Sequence, residues 1–102
     1  NTAGEKVYPE EVEEALKRHA NVYDSLVVGV EDQKFGQKVI AVVSSDSPSL
    51  EADELVNFAR THLSGYKLPK EVIFVDEVKR APNGKANYKW AKETADEYMK
   101  SL

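Results

Sequence analysis

Val39-Ile40-Ala41-Val42-Val43 is the longest unbroken apolar run in this 102-residue chain. Four of its five residues are β-branched, which stiffens the side chain and favours a pleated strand. A strand with one wet face alternates apolar and polar residues. Near-continuous apolar runs leave no face for water, so at least one strand is expected to be covered on both sides. Upstream, Leu26-Val27-Val28 marks a second strand. We read strands over Tyr23–Val30 and Gln37–Ser44. The polar stretch Glu31-Asp32-Gln33-Lys34-Phe35-Gly36 joins them as an antiparallel hairpin, with a loop longer than the tightest turns.

Helical signals flank this pair. Pro9 suits a first helical turn, and a helix is expected over Pro9–His19. Glu10, Glu11, Glu13 and Glu14 crowd its start and Lys17, Arg18 and His19 its end, the polarity that the helix dipole favours. Val12, Ala15 and Leu16 form a narrow apolar face. After a loop holding Pro48, a second helix is expected over Glu51–Leu63, with Ala52, Leu55, Val56, Ala59 and Leu63 inward. Gly65 is a stop and Pro69 prevents resumption. Val72-Ile73-Phe74-Val75 marks a third strand, Glu71–Val75. Asn87 is a good N-cap for a last helix, Tyr88–Met99, with Ala91, Thr94, Ala95 and Tyr98 inward and Trp90 at the rim. The expected fold is a single α+β domain over residues 1–102. It has a small three-stranded, largely antiparallel sheet with helices packed on it, plus an extended N-terminal segment.

Composition narrows the function classes. The chain is 41% hydrophobic and 31% charged, with a net charge of −4, which argues against a module built on phosphate neutralisation of nucleic acid. Five apolar residues in a row are far too few for a membrane span. Cysteine is absent, which removes disulfides and thiolate metal sites and suits a reducing cytoplasm. His19 and His62 read as surface or boundary residues, with no ligand spacing that makes a metal site.

Three segments carry chemistry-bearing residues. Lys79-Arg80-Ala81-Pro82-Asn83-Gly84-Lys85 ends in a Gly-Lys pair. A phosphate-binding P-loop would need glycine at Lys79 and a hydroxyl at Ala86, so that motif is rejected. Taken alone, Lys85 is a solvated lysine beside a turn. The opening segment Gly4-Glu5-Lys6-Val7-Tyr8-Pro9-Glu10-Glu11-Val12-Glu13 reads alone as an extended lead into an acidic helix start. Leu63-Ser64-Gly65-Tyr66-Lys67-Leu68-Pro69-Lys70 reads as a helix stop with a basic loop.

In order and spacing, these segments resemble the C-terminal domain of adenylate-forming enzymes. That superfamily contains acyl-CoA synthetases, peptide-synthetase adenylation domains and beetle luciferases. The opening resembles its Gly-Gly-Glu-x-Val/Ile-x-Pro-x-Glu-Val-Glu motif, with Ala3 where many relatives have the first glycine. Val30-Glu31-Asp32 through Gly36 resembles its Val-Pro-Asp…Gly-Glu loop. Tyr66-Lys67-Leu68-Pro69 with Val72-x-Phe74-Val75 resembles its Tyr-Lys-x-Pro segment and next strand. Pro82-Asn83-Gly84-Lys85 resembles the closing Pro-x-Gly-Lys motif. After it, many relatives carry one or two arginines, where this chain has Tyr88 and Lys89, a variant similar to some actinobacterial fatty-acid CoA synthetases.

The resemblance implies a mobile C-terminal lid of a larger two-domain enzyme, an acid–thiol ligase. Its substrates would be a carboxylic acid, ATP (with Mg²⁺) and coenzyme A. A large N-terminal domain in cis would supply the adenine, phosphate and acyl sites, so this domain alone would bind no cofactor and show no activity. Lys85 would serve adenylation. Gly4 and Glu5 would lie in the loop used for thioester formation, and Lys67 would face the anionic coenzyme. The implied location is cytoplasmic, with membrane-peripheral association left open for the full-length enzyme. Two alternatives stay open. One is a fragment of a carrier-protein-directed or amino-acid-activating adenylation domain, mildly disfavoured because the ending at Leu102 leaves no room for a carrier domain. The other is a standalone α+β binding module.

Overall fold

The computed structural model describes residues 6–34 and 36–102. In chain order the described elements are α1 (Pro9–Lys17), β1 (Val22–Asp32), β2 (Gly36–Ser45), α2 (Ala52–Ala59), β3 (Glu71–Phe74) and α3 (Tyr88–Lys100). The strand order is β1-β2-β3, so β2 is central. Val39 to Ser44 are all buried. Val39, Ala41 and Val43 enter one core with Val12 and Leu16 of α1 and Leu55 and Ala59 of α2. Ile40 and Val42 enter a second core with Leu26, Val28, Ile73, and Ala91 and Ala95 of α3. The sheet is therefore a middle layer between α1/α2 and α3, as the unbroken apolar run requires.

β1 and β2 pair antiparallel from Val22↔Ser45 to Asp32↔Gly36. Both strands run slightly longer than expected, leaving a three-residue connection. Gly36, at φ 79°, takes the left-handed conformation where the chain re-enters the sheet. β3 pairs with β2 in parallel, from Ile40↔Glu71 to Val43↔Phe74. The sheet is thus mixed, its long ladder antiparallel and its short one parallel. A parallel neighbour needs a crossover of a dozen or more residues. The segment carrying α2 supplies it.

The helices form where the sequence places them, with shifted ends. α1 has Pro9 in its first turn, Glu10 and Glu11 beside it and Lys17 last. Asn87 caps α3, its Oδ1 accepting from the Trp90 N–H at 3.0 Å. α2 stops at Ala59, short of the expected Leu63. Thr61 Oγ1 donates to the Phe58 carbonyl at 2.9 Å, and the His62 N–H turns to Ala59 O at 2.9 Å. The hydroxyl competes for the carbonyl that another helical turn would use. Leu63 still reaches the core, outside the helix.

One member of the acidic run is not solvated. Glu13 is buried, and its Oε2 accepts from the Val27 N–H and the Tyr88 hydroxyl, both at 2.9 Å. Its own carbonyl accepts from Ser25 Oγ at 3.1 Å. One side chain thus joins α1, β1 and the start of α3. Burial raises its pKa, opposed by the two hydrogen bonds. Burial and the Glu13 carboxyl raise that of Tyr88. Glu13→Ala strands a backbone donor and a phenol together, and should cost about 1–3 kcal/mol in urea unfolding near pH 7. Glu13→Gln keeps an acceptor oxygen with two lone pairs and should lose clearly less. Equal losses would show that the acceptor role is not what stabilises.

Candidate functional site

Lys85 stands on the shoulder of a small hairpin. Arg80 and Ala86 form an antiparallel bridge, and Ala81 N donates to Lys85 O at 3.0 Å. Between them Pro82-Asn83-Gly84 makes the loop, closed by Gly84 N to Ala81 O at 2.8 Å. Proline and asparagine suit the two central turn positions. Gly84 has φ 85°, the left-handed conformation that closes three-residue hairpin loops. Lys85 is exposed, and its ammonium has no partner among the described residues. The backbone beneath it is held, since the Lys85 N–H donates to Asn83 Oδ1 at 3.1 Å.

The turn is tied to the sheet by Arg80. Its Nε and Nη2 donate to the two carboxylate oxygens of Asp24 on β1, at 2.7 and 2.8 Å. Its Nη1 donates to Gly84 O at 3.2 Å. These hydrogen bonds are the main reason that the Asp24 pKa is lowered and the Arg80 pKa raised. Arginine's planar fork serves both contacts at once in a fixed geometry that a single-nitrogen ammonium does not impose.

Lys67 lies elsewhere. It ends the 3₁₀ turn Gly65–Lys67, and its ammonium donates to both Glu11 carboxylate oxygens, at 2.8 and 3.0 Å. That pair joins the basic loop to the first turn of α1, beside the opening segment. A pocket of ≈ 100 Å³ lined by Val7, Pro9, Gly29, Gln37 and Val39 flanks the same end. Gly4 and Glu5 fall outside the described residues. The Lys70 N–H donates to Val39 O, opposite Gly29 in the ladder, whereas Arg80 grips Asp24. These anchors lie five residues apart on β1, about 16 Å in an extended strand. The structure thus brings Lys67 to Glu11, away from the strand position that holds the turn of Lys85.

Sequence reasoning missed Arg80, Asp24 and Glu13. Glu13 left a trace: it sits about 60° from Leu16 on the helical wheel, at the margin of the apolar face. The two histidines lie at the boundary, with His19 Nε2 against Glu54 Oε2 at 3.3 Å and His62 exposed. Among the described residues, no group of three or more His, Cys, Asp or Glu could hold a metal ion. No helix among them is long and apolar enough to cross a membrane.

Comparison with known proteins adds a family. Residues 11–85 match the model of the AMP-binding enzyme C-terminal domain. A 3-oxocholest-4-en-26-oate–CoA ligase of Rhodococcus rhodochrous is 56% identical over 91% of this chain and 17% of its own length. A medium/long-chain-fatty-acid–CoA/3-oxocholest-4-en-26-oate–CoA ligase of Mycobacterium tuberculosis is 56% identical over 94% of this chain and 18% of its own. Among solved structures, a Mycobacterium tuberculosis fatty acyl CoA synthetase superposes with a TM-score of 0.85 at 34% identity, over 91% of this chain and 18% of that one. Apo MatB from Rhodopseudomonas palustris gives 0.86 at 34% identity, over 95% and 20%. The chain spans under a fifth of the length of these two curated relatives.

The Asp24–Arg80 pair predicts a pH dependence with a definite sign. The folded pKa of Asp24 lies below its ordinary 3.8. Its stabilisation is therefore complete above the unfolded value and lost as pH falls through the lowered folded value. In urea unfolding from pH 6 to pH 3, the stability gap between the natural chain and Asp24→Asn should narrow towards the acid end. A gap constant across that range would remove the ion pair as its cause.

Proposed function

The chain belongs to the family of AMP-binding enzyme C-terminal domains, and from that membership we propose that it is the mobile lid of a two-domain, AMP-forming acyl-CoA ligase. The proposed enzyme is an acid–thiol ligase. A carboxylate attacks the α-phosphate of ATP, giving acyl-adenylate and pyrophosphate. The thiol of coenzyme A then displaces AMP to give the thioester. A large N-terminal domain in cis supplies the acyl and nucleotide pockets, and Mg²⁺ arrives with ATP.

The observation that carries this reading is the presentation of Lys85. It is an exposed ammonium, without a partner among the described residues, on a fixed turn at the end of the stretch that matches the family model. A carboxylate approaching a triphosphate meets like-charge repulsion, and charge spreads over the phosphoryl oxygens in the transition state. A cation brought in by lid closure bridges both anions and stabilises that charge. Lysine suits this as a compact charge on a flexible stem. In this reading, Gly4, Glu5 and Lys67 serve thioester formation. Gly4 lets backbone approach the pantetheine arm, and Lys67 exchanges Glu11 for an anionic group of the coenzyme. The matched ligases are named for medium/long-chain fatty acids and 3-oxocholest-4-en-26-oate. The proposed acid is accordingly a carboxylate on a large apolar body. It is selected in the large domain, in the cytoplasm where ATP and coenzyme A are available.

In the full-length enzyme, Lys85→Ala should slow ATP–pyrophosphate exchange by about 10²–10³-fold, the usual loss when one transition-state donor is removed. Thioester formation from supplied acyl-adenylate should stay largely intact, and equal loss in both half-reactions would sink the role. The isolated 102-residue chain should catalyse no ATP–pyrophosphate exchange. Exchange above a no-protein control would contradict a lid that depends on a partner domain.

A further inference from the structure

The peptide unit that joins Gly84 to Lys85 is held at both of its polar atoms. Its carbonyl accepts from Arg80 Nη1 at 3.2 Å, and its N–H donates to Asn83 Oδ1 at 3.1 Å. Asn83 lies within the loop and moves with it. Arg80 is the contact that refers this peptide to the sheet, because the same guanidinium grips both oxygens of Asp24 on β1. On the far side of the loop, the Tyr88 hydroxyl is fixed on Glu13. The segment bearing Lys85 is thus anchored at both ends to groups carried by β1 and α1.

The contribution of this arrangement to stability is modest. Arg80 and Asp24 keep 30% and 17% of their side-chain surface exposed, and ion pairs that are still wet contribute little. Their geometric effect is larger. The lysine ammonium sits at the end of four flexible carbons, so the volume it samples is centred by its Cα and the peptide plane before it. Fixing that plane narrows where the ammonium arrives on closure, without restraining the stem.

We propose that Arg80, braced by Asp24, is a positioning residue for Lys85, setting the direction from which the lysine enters the adenylation site. The inference rests on Lys85 being the adenylation lysine, and its test separates the two ideas. In the full-length ligase, Arg80→Met should lower kcat for ATP–pyrophosphate exchange by about 10–100-fold, the scale of a misplaced catalytic group. Thioester formation from supplied acyl-adenylate should change by less than about twofold. Asp24→Asn leaves the guanidinium present but held by one neutral acceptor instead of two charged oxygens, and should give a smaller loss in the same half-reaction. In a Lys85→Ala background, Arg80→Met should add no more than about a twofold loss, because a residue acting through the lysine has nothing left to position. Independent, multiplying losses would overturn the proposal. So would unchanged exchange in Arg80→Met, or equal loss in both half-reactions by Arg80→Met and Asp24→Asn alike. Undiminished exchange in Lys85→Ala itself would instead remove the role of the lysine.

Discussion

The double-sided burial of β2 is the constraint on which the rest of the fold depends. Its side chains from Val39 to Val43 alternate between two cores, so neither face of the sheet can be left to water. One face needs α1 and α2, and the other needs α3. The parallel entry of β3 follows, because a chain that must cover the sheet with α2 after β2 returns to the starting end of that strand. Each core is small, and they share the backbone of one strand. Loss of the helices on either face would leave the apolar side chains of that face of the strand open to water.

Polar contacts then fix what apolar packing leaves loose. Hydrophobic burial is non-directional. It holds α1 and α3 against the sheet without specifying where their ends point. The Glu13 carboxylate, shared between the Val27 N–H and the Tyr88 hydroxyl, adds direction at the point where α1, β1 and α3 meet. The Arg80–Asp24 pair does the same for the turn of Lys85. Both contacts converge on the short segment 80–88. In the proposed function this segment carries the chemistry, so the specific, directional interactions gather where orientation matters most.

Much of this was legible in the sequence, and the rest was not for identifiable reasons. The apolar run of β2, the Pro9 start of α1 and the Asn87 cap each depend on residues adjacent in the chain. The end of α2 was misplaced because a side-chain hydroxyl, Thr61, redirected a backbone bond that hydrophobic periodicity does not register. The parallel pairing of β3 was not read from the sequence, because no residue pattern within a short strand records its direction. Lys85 and Lys67 were visible through motif and spacing. Glu11, which pairs with Lys67, was read as helix-start acidity and as part of the opening motif, without that partner. Arg80 with Asp24, and Glu13 with Tyr88, join residues 56 and 75 positions apart. Apart from the place of Glu13 at the margin of an apolar helix face, no local pattern distinguishes those charges from their solvated neighbours.

The left-handed backbone at Gly84 has a stereochemical consequence. A Cβ built there meets nothing within 4 Å, so a substituent is opposed by chirality and not by space. An L-residue would carry about 1–2 kcal/mol of backbone strain at this φ. Its mirror image would carry none, and would restrict the unfolded chain as well. A semisynthetic domain with D-alanine at this position would therefore hold the turn more rigidly than the natural chain.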